Sequence, residues 1–236
     1  MNELMKKIHK GLIVSCQAFE GEPLYADYSM SRMALSVLNG GAKGIRTNGV
    51  RDIKQIREVT DVPLIGLFKD HLEGYEVFIT PTYNHVKQVL EAGADIVALD
   101  CTNRKRPESL EEIFTKIRKE FPGKMIMADI ASCNDAQSIS KLNPDILATT
   151  LSGYTRETED RPKPDLELLR KLVNKFDIPV IAEGNYWESE EVVQAFKYGA
   201  FAVTIGSAIT RPHLITERFN IAIENWKKEQ SLKSDF

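Results

Sequence analysis

Three observations in this sequence predict an α/β fold, a single (β/α)8 barrel (TIM barrel) domain over residues 1–236. Short apolar runs of strand length recur eight times along the chain. Each carries, at or near its end, a polar residue or a glycine turn, as expected where strand C-termini build the functional face of such a barrel. Between the runs lie stretches with apolar residues at helical spacing, and strict alternation of strand and helix gives a parallel sheet covered by helices.

In chain order, Leu12-Ile-Val-Ser-Cys-Gln17 ends in an amide and is followed by a stripe of Met30, Met33, Ala34, Val37 and Leu38. Gly44-Ile-Arg-Thr47 carries Arg46 and leads to Ile53, Ile56 and Val59. Pro63-Leu-Ile-Gly-Leu-Phe-Lys69 ends in lysine, before Val86, Val89 and Leu90. Ile96-Val-Ala-Leu-Asp100 precedes Leu110, Ile113, Phe114 and Ile117, and Met125-Ile-Met-Ala-Asp129 precedes Ile139 and Leu142. Asp145-Ile-Leu-Ala-Thr-Thr150 ends in hydroxyls and leads to Leu166, Leu169, Leu172 and Val173. Pro179-Val-Ile-Ala-Glu183 ends in a carboxylate, before Val192, Val193 and Phe196. Ala202-Val-Thr-Ile-Gly206 ends in a glycine turn, and the last stripe is Leu214, Ile215, Phe219, Ala222 and Trp226. All these stripes are assigned to packing of helices on the barrel.

A repeat supports eight units over an open sheet. Asp61-Val-Pro-Leu-Ile65 recurs as Asp177-Ile-Pro-Val-Ile181, and Gly93-Ala-Asp-Ile-Val97 as Gly199-Ala-Phe-Ala-Val203, at offsets of 116 and 106 residues, about half the chain. Proline stops a helix before a strand, and Gly-Ala ends a helix tightly before the next strand. The irregular stretches 19–27, 70–82 and 153–164 fall on the face of the strand C-termini. Within the last, residues 152–158 are polar and glycine-containing, a candidate mobile flap. The charged tail, residues 227–236, is expected to be frayed.

Composition excludes several classes. With 31 basic and 34 acidic residues and a net charge of −3, there is no electrostatic footprint for nucleic acid or an anionic membrane. The N-terminus lacks a signal-peptide apolar core, and no apolar run approaches the roughly 18 residues of a membrane span. Cys16, Cys101 and Cys133 are too few and too scattered for a disulfide framework or zinc knuckle, which points to a reduced, cytoplasmic protein. No histidine flanks any of them, so they read as space-filling residues near the mouth. His9, His71, His85 and His213 show no ligand spacing and end no strand, and no metal or cofactor is expected.

Lys69 is the leading chemical residue. A lysine enclosed at a barrel mouth loses proton affinity and becomes a base or a Schiff-base amine; a lysine snorkelling to solvent is the alternative. Strands 3 and 7 oppose each other in an eight-stranded barrel, so Lys69 and Glu183 face each other across the mouth, either handling protons on two sides of one carbon or forming a salt bridge. Gly184 and Asn185, with Gly206 and Ser207, follow strands 7 and 8, where this fold recurrently binds phosphate, and Arg211 lies just beyond. Glycines also end strands for steric reasons alone. Gln17, Arg46 and Asp129 are candidates to hydrogen-bond substrate, whereas Asp100 is either a site residue or a buried network residue.

Taken together, Ser15-Cys-Gln-Ala18, Gly44-Ile-Arg-Thr-Asn48, Gly66-Leu-Phe-Lys69, Met127-Ala-Asp129, Thr149-Thr-Leu-Ser-Gly-Tyr154, Ile181-Ala-Glu-Gly-Asn185 and Ile205-Gly-Ser-Ala-Ile-Thr-Arg211 resemble the N-acetylmannosamine-6-phosphate 2-epimerases, in order and spacing, from about Leu12 to Phe219. The resemblance implies an isomerase converting N-acetylmannosamine 6-phosphate to N-acetylglucosamine 6-phosphate in amino-sugar and sialic acid catabolism. It implies Lys69 and Glu183 as catalytic residues, Gln17, Arg46, Asp129 and Arg211 as substrate-binding residues, and Gly184, Asn185, Gly206 and Ser207 as the phosphate site. It also implies no cofactor and a homodimer, and leaves open whether two enzyme bases or a substrate hydroxyl handle the C2 proton. Phe68 and Asn185 depart from the family's commoner Tyr and Arg or Lys, the latter leaving less positive charge near the phosphate. A Schiff-base aldolase and a non-catalytic phosphosugar-binding barrel are the alternatives; a pentulose-phosphate 3-epimerase lacks its metal-ligating histidines here.

Overall fold

Each apolar run becomes a strand, and the eight strands close into a parallel barrel in sequence order, β1 to β8. A computed structural model describes residues 2–234. The strands are β1 Leu12–Cys16, β2 Gly44–Asn48, β3 Leu64–Leu67, β4 Ile96–Asp100, β5 Met125–Asp129, β6 Ile146–Ala148, β7 Val180–Glu183 and β8 Ala202–Ile205. The helices are α1 Glu3–Ile8, α2 Ser29–Asn39, α3 Val50–Arg57, α4 Tyr83–Glu91, α5 Leu110–Glu120, α6 Cys133–Ile139, α7 Leu166–Lys175, α8 Ser189–Lys197, α9 Ser207–Thr210 and α10 Pro212–Ser234. Thr82, Ser109, Ser132 and Asp165 cap four of them by accepting a first-turn N–H, which fixes where each helix begins. Gly93 and Gly199 stand in the left-handed region (φ 111° and 92°) and end α4 and α8, so the two copies of the Gly-Ala repeat perform the same turn.

Alternation along the strands sorts side chains into two cores. Val14, Ile45, Leu64, Val97, Ile126, Leu147 and Val203 face outward under the helices. Ile13, Ile65, Ile96, Met127, Ile146 and Ile181 face inward and fill the barrel, closed below by Met5 and Ile8 of α1. That helix has too few residues for periodicity to announce it. Register then sets the height of the polar groups: Ser15 pairs with Arg46 and Arg46 with Ile65, while Asp100 pairs with Asp129.

Two expectations about the C-terminus are corrected. Only the start of the stripe stays on the barrel, Leu214 and Ile215 half-buried with Leu214 lining the mouth; beyond it Phe219 and Trp226 are 67% and 59% exposed. Residues 227–234 continue α10 as helix instead of fraying, supported by Lys227 donating to Glu224; the last two residues of the expected tail lie outside the described residues. A sequence stripe reports an apolar face without reporting what covers it.

At Gly66 strand β3 and the helices over it approach closely. A Cβ there would stand 2.7 Å from both Ala94 Cβ and Val89 Cγ1 and 2.9 Å from Ile53 Cδ1. Gly66→Ala should therefore lower unfolding stability by about 1–3 kcal/mol, the usual cost of forcing extra volume into a packed core, read as a lower midpoint in urea denaturation.

Candidate active site

The chemistry-bearing strand ends converge on a cavity of about 420 Å³ at the C-terminal face. Gln17, Lys69, Glu183, Gly184, Asn185, Gly206, Ser207 and Arg211 all line it, as the sequence leads one to expect. Arg46 and Asp129 do not. They lie beneath it, with side chains 1% and 0% exposed, and reach it through two lining residues.

Arg46 crosses the barrel interior from β2. Its Nη2 donates to Asp129 Oδ2 at 2.6 Å and its Nη1 to Asp129 Oδ1 at 3.0 Å, a bidentate fork. The same Nη1 donates to Glu183 Oε2 at 2.9 Å, and Thr150 Oγ donates to Asp129 Oδ1 at 2.6 Å. One guanidinium thus joins β2, β5 and β7. Burial disfavours its charge, but Asp129 and Glu183 more than offset this and hold it protonated.

Glu183 is further fixed through its backbone. Its N–H donates to Thr149 Oγ at 3.0 Å, and the Thr149 hydroxyl donates to the Glu183 carbonyl at 2.8 Å. The side chain is 12% exposed, and burial raises the pKa of its carboxyl above the usual carboxylate range, against the pull of Arg46. Lys69 stands just beyond β3 in a single antiparallel bridge to Ile79, its N–H donating to Asn48 Oδ1 at 2.8 Å. Burial, then repulsion from Arg46, lowers its pKa to about 8, opposed by Glu183 and Asp129. Burial therefore moves acid and amine toward each other, and a proton can reside on either near neutral pH.

The loops complete the enclosure. Residues 70–82 fold back so that Phe78 and Ile79 form one wall. The stretch 152–158 is not a free flap: Ser152 Oγ donates to Asp165, Gly153 N–H to Thr158 Oγ, and the Thr155 and Thr158 hydroxyls share a hydrogen bond at 2.8 Å. From this anchored turn the Tyr154 hydroxyl donates to Asn185 Oδ1 at 3.1 Å, bridging the loops after β6 and β7. Gln17 Nε2 donates to Ser15 Oγ at 2.7 Å, while its Oε1 is buried without a partner.

Asp100 belongs to a structural network, not to the cavity: Thr102 and Arg104 donate to its carboxylate and Arg106 to its carbonyl. Cys16 and Cys101 are buried, and burial pushes the Cys16 thiol up to about 12, so space-filling is their role. Phe19, Thr204, Tyr186 and Trp187 also line the cavity and were not singled out from the sequence. Aromatic residues in loops carry no periodicity to mark them.

Fold and site define a (β/α)8 barrel with an acid–amine pair at its mouth. Comparison with known proteins narrows this class. The family model described as "Putative N-acetylmannosamine-6-phosphate epimerase" matches residues 30–225. A protein of Caldanaerobacter subterraneus named "Putative N-acetylmannosamine-6-phosphate 2-epimerase" is 46% identical over 219 residues, 92% of each chain. One of the same name from Listeria welshimeri is 45% identical over 99% of each chain. The solved N-acetylmannosamine-6-phosphate 2-epimerase of Clostridium perfringens superposes with a TM-score of 0.90 at 40% identity, covering 94% of this chain and 96% of that one. The chain belongs to the N-acetylmannosamine-6-phosphate epimerase family, as the sequence motifs imply.

Removing Arg46 leaves two carboxylates buried without their partner. Arg46→Met should cost about 3–5 kcal/mol of stability, measured by denaturation at pH 8. Unpaired buried carboxylates have raised folded-state pKa values, so this loss should shrink as the pH is lowered and they take up protons.

Proposed function

We propose that this chain inverts C2 of N-acetylmannosamine 6-phosphate to give N-acetylglucosamine 6-phosphate, within amino-sugar and sialic acid catabolism. The observation that carries the proposal is that Lys69 and Glu183, from opposite sides of the barrel, line one cavity whose far rim is built from the loops after β7 and β8. In the open-chain sugar the C2 hydrogen is α to the aldehyde, so a base removes it to leave an enolate. The neutral amine of Lys69 is that base. Its lowered pKa brings the neutral amine within reach near neutrality, where a general base is most effective. Glu183, whose raised pKa favours a protonated carboxyl, supplies a proton to the other face. Arg46 and Asp129 act by holding Glu183 and Thr150 in place. Their burial supports this role over direct contact with the sugar.

Gln17 Oε1, an acceptor without a partner, is offered to a substrate N–H or hydroxyl. Backbone N–H groups of Gly184, Asn185, Gly206 and Ser207 hold the phosphate, with Arg211 beside them. Three free cysteines, two of them buried, fit a reducing cytoplasm.

The homodimer implied by the resemblance finds its support in α10. Phe219, Ile223 and Trp226 lie exposed at helical spacing on one side of α10, with Ile221 exposed on the same helix. Two copies related by a twofold axis would cover it.

The function is tested by proton NMR of N-acetylmannosamine 6-phosphate with the protein in deuterated water. N-acetylglucosamine 6-phosphate should appear, with deuterium at C2 of both epimers. No conversion, or a substrate adduct trapped by borohydride, would overturn the reading. Lys69→Ala should lower kcat by about 10²–10⁴-fold, and wild-type kcat/KM should trace a bell against pH, rising as the Lys69 amine loses its proton and falling as the Glu183 carboxyl loses its own. For the assembly, Trp226→Glu should convert a dimer into a monomer in sedimentation equilibrium.

A further inference from the structure

The loop after β1 places a carboxylate on the arginine assigned to the phosphate. Glu22 Oε1 pairs with Arg211 Nη2, and both side chains are about four-fifths buried. The other carboxylate oxygen, Oε2, accepts from the Phe19 N–H at 3.0 Å, while Glu22 N–H donates to the Phe19 carbonyl at 2.9 Å, closing a tight turn. That turn carries the Phe19 ring into the mouth, where it lies 5.0 Å from Arg211 Cζ and 4.6 Å from Lys69 Nζ. Glu22 does not satisfy the guanidinium: Arg211 Nε is buried with no partner.

We infer that Glu22 is an internal competitor that occupies Arg211 until a phosphomonoester dianion displaces it, and so sets how tightly the site holds phosphate. The inference rests on the reading of Arg211 as a phosphate residue. A guanidinium presents its donors as a fork, and a phosphate can accept from two of them at once, including the Nε–H that Glu22 leaves empty. A phosphomonoester near pH 7 also carries close to two negative charges against the single charge of Glu22. Exchange therefore favours a dianion, whereas a singly charged or neutral ligand gains little over the carboxylate already present. The carboxylate thus lowers the affinity of any anion that must take Arg211 from it, while a neutral ligand that leaves the pair in place escapes this cost.

Glu22→Gln is the informative variant, because the amide oxygen can still accept from the Phe19 N–H while the charge on Arg211 is lost. It should lower both KM for N-acetylmannosamine 6-phosphate and the inhibition constant of methyl phosphate by about threefold to fivefold, the scale of a partly exposed ion pair. KM for unphosphorylated N-acetylmannosamine should not fall. Damage to the fold cannot produce tighter binding. Unchanged or weaker binding of methyl phosphate by Glu22→Gln would overturn the inference, since it would make Glu22 an orienting partner of Arg211. Arg211→Gln separates the two readings. If it leaves both constants unchanged, the phosphate assignment itself fails; if it raises both while Glu22→Gln lowers neither, only the role of Glu22 fails. Should Glu22→Gln not fold, hydrogen exchange of the unmodified protein decides. Saturating methyl phosphate should speed exchange at the Phe19 amide, and slower exchange there would overturn the inference.

Discussion

The guanidinium of Arg46 is the point on which the functional face depends. It is the buried cation that joins three strands, forking onto Asp129 and reaching Glu183 with the same nitrogen. Buried ion pairs are poor sources of net stability, because desolvation consumes most of the Coulombic gain. What this arrangement supplies is position. With Thr150 on Asp129 and Thr149 on the Glu183 backbone, the carboxylate at the mouth is held by strands 2 and 5 and the residues just after strand 6, as well as by its own strand.

The same charge shapes the proton chemistry. Arg46 stabilises a carboxylate at Glu183 and disfavours an ammonium at Lys69, while burial acts against charge on both. These opposed influences leave an amine and a carboxyl with neighbouring proton affinities inside one enclosed cavity. Neither residue would have this property alone. Lys69 without the arginine below it would be more basic, and Glu183 without it would be more easily neutralised.

Around this rigid floor, the elements proposed to meet the ligand sit on loops. Tyr154 reaches Asn185 across the loops after β6 and β7, and Glu22 reaches Arg211 across those after β1 and β8. The division follows the fold: strands carry groups that must not move, and loops carry groups that must meet a ligand.

The order of eight strands was legible because an apolar run ending in a polar residue is a local pattern, and the barrel places such ends together. Lys69, Glu183, Gln17 and the glycine loops were legible for the same reason. The sequence alone therefore determined the barrel, the face on which chemistry occurs and, through its motifs, the family. Only tertiary structure decided the rest. Strand register sank Arg46 and Asp129 beneath the cavity, and loop packing made Asp100 a network residue and drew Glu22 onto Arg211 from 189 positions away. The tertiary structure also left the apolar stripe of α10 exposed beyond its start, although that stripe reads like every other core face in the sequence. Depth, partner and cover are relations between distant segments, and a one-dimensional pattern records only which residues are able to enter into them.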